Sequence, residues 1–78
     1  MLSPDQVVEA SFLEARHQLL EVAALLDRHD AAVNRTGRDV GAGGAAKLGV
    51  LREALEALCV PRPSQERTVT LLELFAKV

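Results

Sequence analysis

The sequence predicts an all-α protein, a small helical bundle completed by dimerisation. Hydrophobic residues make up 49% of the chain but aromatic residues only 3%, so the core must consist of Leu, Val and Ala, as in helical bundles. Apolar residues recur at three- and four-residue steps, which is the period of one helix face. One glycine cluster separates a long first segment from two shorter ones. We therefore expect a single domain over residues 1–78, of marginal stability when alone.

The first helix is expected over residues about 4–35. Ser3 is suited to the N-cap, Pro4 to the first helical position, and Gln6 can reach back to the cap. Gly37 can adopt the left-handed conformation of a helix end. A helix of this length would measure about 48 Å, whereas a globule of this size spans only about 30 Å. Either the helix breaks near Asp30 or the assembly is elongated and multimeric.

The first helix has a wider apolar face than one neighbouring helix requires. The expected core stripe comprises Val8, Phe12, Ala15, Leu19, Ala23 and Leu26. The additional apolar residues, which we expect at a subunit interface, are Leu13, Leu20, Val22, Ala24 and Leu25. Because a 78-residue monomer has little other material to cover such a helix, we expect a homodimer, or docking onto a larger protein partner.

The second half of the chain is expected to contain a linker and two helices. Residues 36–44 hold four of the five glycines and predict a flexible linker. A phosphate-binding loop is excluded there, since Lys47 is followed by Leu48 and no strand precedes the glycines. Helix 2 is expected over about 45–60, ended by Pro61. Its expected packing seam is Leu48, Leu51, Leu55 and Leu58.

Helix 3 is expected over about 64–78, capped by Ser64. The segment 68–75, TVTLLELF, also has the composition of a strand, but no other segment offers a strand to pair with it, so a helix is preferred. The residues expected on its packed side are Thr68, Leu71, Leu72, Phe75 and Val78.

One pattern indicates possible chemistry. Glu14 and His17 form a Glu-x-x-His pair, followed one turn later by Glu21; this motif supplies ligands in di-iron and di-manganese carboxylate bundles. A two-fold dimer with Glu53 or Glu56 could complete a site for a divalent metal. The alternative is a solvated acidic face, because these residues lie nearly opposite the core stripe. A second polar cluster, residues 27–30, would pair locally or bind a cation.

Charge and composition narrow the remaining classes. The net charge is −2 and the nine basic residues are dispersed, which disfavours nucleic-acid binding. We expect no membrane span, since no segment approaches about 18 apolar residues, and no signal peptide, since the N-terminus lacks a basic region followed by an apolar run. The single cysteine, Cys59, cannot form an internal disulfide, so we expect a reduced, cytoplasmic setting. No catalytic residues and no cofactor other than the possible metal are indicated. The leading hypothesis is a structural or protein-interaction module that associates through helix 1.

Overall fold

The computed structural model describes all residues, 1–78, and contains three α-helices and no strand. The helices are α1 (Pro4–Thr36), α2 (Ala42–Leu58) and α3 (Arg67–Phe75). The all-α prediction is thereby confirmed, including the choice of helix over strand for the third element. The chain forms two compact units, Met1–Asp39 and Val40–Val78.

The first unit is built on α1, whose two ends are fixed by the predicted residues. The Ser3 backbone N–H donates to the Gln6 side-chain oxygen at 2.8 Å, and the Gln6 N–H donates to the Ser3 hydroxyl at 3.2 Å. At the other end, Gly37 adopts φ 69° and donates its N–H to the Val33 carbonyl. The helix continues through Asp30 without interruption, and its 33 residues give a length of about 50 Å.

The helix α2 begins earlier than the sequence predicts. Its N-cap is Gly41, so Gly43 and Gly44 are helical rather than part of a linker. A Cβ added at Gly44 would lie 2.9 Å from the Val40 Cβ, which means that the chain approaches itself closely as it enters the helix. Glycine at this position permits that approach, and the alanines that follow favour helix. The connector is therefore shorter than the expected 36–44.

The core of the second unit lies between α2 and α3, where the two helices pack together. Its buried residues are Val50 and Ala54, which are 7% and 4% exposed. Both lie beside the predicted leucine seam rather than on it: three of the leucines are half-buried, and Leu58 is exposed. Small side chains at the contact allow the helices to approach closely, and the leucines surround that contact. The predicted position of the seam is therefore wrong by roughly a quarter of the helix circumference.

The helix α3 begins later than expected. Glu66, not Ser64, is its N-cap residue, and no side chain completes the cap. The Arg67 guanidinium donates to the Val60 carbonyl, which ties the start of α3 to the segment that follows α2. Between them, Arg62 adopts the left-handed conformation at φ 51°.

The side of α3 that is half-buried also differs from the prediction. The half-buried residues are Arg67, Thr70, Leu71 and Leu74. Of the five residues predicted for the packed side, only Leu71 is half-buried. The Arg67 side chain is bonded to the Val60 carbonyl, and the half-buried residues lie on the same side of α3 as Arg67. No helix in the structure combines the length and apolar character that crossing a membrane requires.

Candidate interaction surface

The helix α1 carries its apolar stripe on the surface. Val8, Phe12 and Leu19 are 61%, 58% and 57% exposed, and no residue of the helix is buried. The expectation that this stripe forms the core of the chain is therefore wrong. Its periodicity correctly identifies one continuous apolar face, because residues at these steps project from the same side of a helix. We call the exposed part, residues 8–23, the N-terminal apolar face.

Two shallow hollows lie on the N-terminal apolar face and meet at Phe12. The first is lined by Phe12, Ala15, Arg16, Leu19, Leu20 and Ala23. The second is lined by Val8, Glu9, Phe12 and Leu13. Each hollow is apolar except for one charged residue, Arg16 in the first and Glu9 in the second. The two charges are of opposite sign and stand seven residues apart, about 10 Å along the helix.

The five residues predicted for a subunit interface fall into two groups. Leu13, Leu20 and Leu25 are exposed, and Leu13 is 75% exposed, more than any other large apolar side chain within α1. Leu13 and Leu20 also line the two hollows. Val22 and Ala24 are half-buried. The interface set thus overlaps the N-terminal apolar face but omits its central residue, Phe12, which was assigned to the core.

The predicted metal ligands lie on an exposed face of α1. The His17 Nε2 lies 3.1 Å from the Glu21 Oε1, so the histidine contacts the acid one turn later rather than Glu14. Glu14 instead accepts from the Gln18 side-chain amide at 3.5 Å. The structure contains no group of three or more His, Cys, Asp and Glu side chains arranged to hold a metal ion. A metal site on this face would need ligands from a second copy, as the sequence hypothesis supposed.

The second polar cluster is centred on His29, whose side chain is 19% exposed. Its Nδ1 lies 3.0 Å from Asp30 Oδ1, and its Nε2 lies 3.2 Å from Asp39 Oδ1. These two hydrogen bonds, first that of Asp30 and then that of Asp39, raise the pKa of His29 above its ordinary value, 6.5. A protonated imidazole can donate to both carboxylates at once. The arrangement is a bridge between α1 and the segment that follows it.

Asp39 is the member of this cluster that the sequence did not reveal. It lies ten residues from His29, within the segment predicted to be a flexible linker. The turn that returns it to the helix is ordered locally: the Thr36 hydroxyl donates to the Ala32 carbonyl at 2.8 Å and accepts the Arg38 N–H at 3.2 Å. Threonine hydroxyls commonly bond to the nearby backbone in this way, but nothing in the ten-residue spacing of His29 and Asp39 indicates that their side chains meet.

Comparisons with known proteins yield no match, whether to a protein-family model, to a curated protein or to a solved structure. The fold itself defines the class of the protein: it is an all-α chain whose longest helix is amphipathic and exposes its apolar face.

Proposed function

We propose that this protein is a small helical interaction module that associates with a second copy of itself through α1. The observation that carries the proposal is that the longest helix of the chain, with 33 residues, buries none of them and exposes a continuous apolar face. The proposed role is structural, and it involves neither a catalytic group nor a resident metal.

Helices in water are marginal without tertiary packing, and most helical stability in proteins comes from burying an apolar face. Burying one large aliphatic or aromatic side chain contributes about 1.5–3 kcal/mol. The exposed Val8, Phe12, Leu13, Leu19 and Leu20 together represent several such contributions. A second copy supplies a face of the same size and polarity, and it is present wherever the first copy is.

The surroundings that suit this proposal are reducing and aqueous. Cys59 is free and exposed, and a reduced thiol is the ordinary state of such a residue in the cytoplasm. We therefore place the proposed module in the cytoplasm, where its N-terminal apolar face would associate with a second copy or present a finished dimer to a larger protein.

The oligomeric state tests the proposal directly. Sedimentation velocity at micromolar concentration should give a dimer for the wild type and a monomer for Phe12→Glu, because a carboxylate would then stand at the junction of the two hollows. The matched control is Ala10→Glu, which introduces the same charge at an exposed position two residues away and should leave the dimer intact. A wild-type protein that sediments as a monomer would overturn the proposal.

A further inference from the structure

We propose that the two copies pair antiparallel through the N-terminal halves of α1, with the two-fold axis between Leu13 and Glu14. This inference rests on the proposed function and deepens it, because it specifies which surface of the second copy occupies the N-terminal apolar face. Three observations carry it: the order of large and small side chains along the stripe, the positions of Glu9 and Arg16, and the residues that other arrangements would bring together.

The stripe is self-complementary in size when it is reversed. Val8, Phe12, Ala15 and Leu19 follow one another at steps of four, three and four. Reversal about the proposed axis places Phe12 opposite Ala15 of the second copy, and Val8 opposite Leu19. The largest side chain of the stripe then meets the smallest, which is how facing helices interdigitate. The overlap covers about 20 residues of each helix, a length of about 30 Å.

The charges of the two hollows are complementary in the same arrangement. Glu9 and Arg16 flank the stripe on one side, and neither forms an ion pair within its own chain. In an antiparallel pair, positions on that side of one helix lie beside the equivalent side of the other. In the proposed register Arg16 of the second copy lies two residues, about 3 Å along the axis, from the level of Glu9. Both side chains are long enough to span that offset, and the two-fold axis repeats the pair. The hollow that contains Glu9 thus faces the hollow that contains Arg16.

A parallel pair lacks this complementarity. In parallel helices each flank of the stripe faces the opposite flank of the partner helix. The opposite flank of α1 carries Ser11, Gln18 and Leu25, none of which is charged. Glu9 and Arg16 would then have no partner of opposite sign. The charges therefore favour the antiparallel orientation.

Longer antiparallel overlaps bring unsuitable groups together. Overlap along the whole helix places Glu9 beside Asp30 of the second copy, and like charges at such positions oppose pairing. An overlap displaced towards the C-terminal ends of the two helices places His29 against the apolar Leu19 of the second copy. His29 is already bonded to Asp30 and Asp39, and covering that charged bridge with leucine would remove it from water at a cost. The N-terminal overlap avoids both.

Disulfide cross-linking tests the register, in a Cys59→Ser background. Val8→Cys and Leu19→Cys proteins should remain uncross-linked when each is oxidised alone. In the proposed dimer each introduced cysteine lies about 16 Å, measured along the helix axis, from the same position of the second copy. Mixed and allowed to exchange, they should form a disulfide-linked heterodimer. The matched control mixes Val8→Cys with Leu26→Cys, which would cross-link only if the overlap were one heptad longer. Cross-linking of either protein with itself, or of the control pair, would overturn the proposed geometry.

Charge exchange tests the ion pairs independently. Glu9→Arg and Arg16→Glu should each weaken dimerisation about tenfold, because each change places like charges together at two symmetric positions. The double variant Glu9→Arg/Arg16→Glu should recover wild-type affinity, measured by sedimentation equilibrium at low salt. Single variants that dimerise as the wild type does, or a double variant weaker than both, would contradict the pairing.

These outcomes separate the geometry from the proposal on which it rests. A dimer that fails the cross-linking and charge-exchange tests, but that Phe12→Glu disrupts, retains self-association through α1 and excludes this register. A wild-type monomer removes both.

Discussion

At the scale of single residues, His29 connects α1 to the segment that follows it. It is held from both ring nitrogens, by Asp30 within α1 and by Asp39 beyond the Gly37 turn. Both bonds favour the protonated ring, so the pKa of folded His29 lies above 6.5. The charge on one imidazole thereby helps to hold the segment after α1 against the helix.

The bridge of His29 with Asp30 and Asp39 should stabilise the fold most at low pH. Because the folded pKa is raised above the unfolded one, the stabilisation is complete below about pH 6.5 and is lost as the pH rises through the folded pKa. A titration of the His29 ring by NMR should give a pKa above 6.5, and Asp39→Asn should lower it towards that value. Asp27→Asn is the matched control, since Asp27 makes no bond to the ring, and it should leave the pKa of His29 near that of the wild type. An Asp39→Asn protein with an unchanged His29 pKa would contradict the assignment.

Residue-scale features were predictable where they are local in sequence. Ser3 and Gln6 lie three residues apart and complete their cap without help from the rest of the chain, and Gly37 ends the helix through its own backbone freedom. Asp39 was not predictable as a partner of His29, because the contact depends on how the chain reverses after Gly37. The spacing places Glu14 and Glu21 each about one turn from His17, and side-chain rotamers rather than the spacing select Glu21 as the partner.

At the scale of the helices, the sequence predicts the bounds of α1 more accurately than the starts of α2 and α3. The helix caps account for this difference in accuracy. The box formed by Ser3 and Gln6 and the left-handed Gly37 define α1 to within a residue of its predicted bounds. Neither α2 nor α3 has a side-chain cap. The start of α3 is marked by the Arg67 to Val60 contact, which local sequence patterns do not include. The helix α2 begins where Gly44 lets the chain approach Val40 closely.

Glycine substitution in α2 gives a second prediction. Gly49 lies inside the helix, and a Cβ added there would meet nothing within 4 Å. Gly49→Ala should therefore raise the free energy of unfolding by about 0.5–1 kcal/mol, measured by thermal or urea unfolding. Gly44→Ala is the contrasting variant, because its Cβ would lie 2.9 Å from the Val40 Cβ and should cancel the propensity gain. Equal stabilisation by both substitutions would show that the close approach at Gly44 does not constrain the chain.

At the scale of the whole molecule, the two units obtain their stability differently. Residues Val40–Val78 contain the buried Val50 and Ala54 between two packed helices. Residues Met1–Asp39 contain no buried residue. Periodicity identified the apolar face of α1, but it cannot distinguish a face covered within one chain from a face that the chain leaves exposed. That distinction is why the core stripe was assigned to the interior and its flanks alone to the interface.

The helix content of the protein should fall when the protein is diluted. α1 contains 33 helical residues, against 17 and 9 in α2 and α3. If association stabilises α1, dilution through the dimer dissociation constant should remove up to about half of the far-UV circular dichroism signal, since an unpacked helix is marginal. Phe12→Glu should show the reduced signal at every concentration. Full helix content in wild-type protein diluted to monomer would mean that α1 is stable without a partner.

The continuity of α1 also has a mechanical consequence. The helix has neither proline nor glycine between Gln6 and Thr36, and sharp kinks in helices nearly always arise at such residues or at local defects. Its two halves therefore turn together as one stiff lever. Any partner that fixes the direction of residues 8–23 also fixes the direction of the His29 end, so that contact at one end of the lever determines where the other end points.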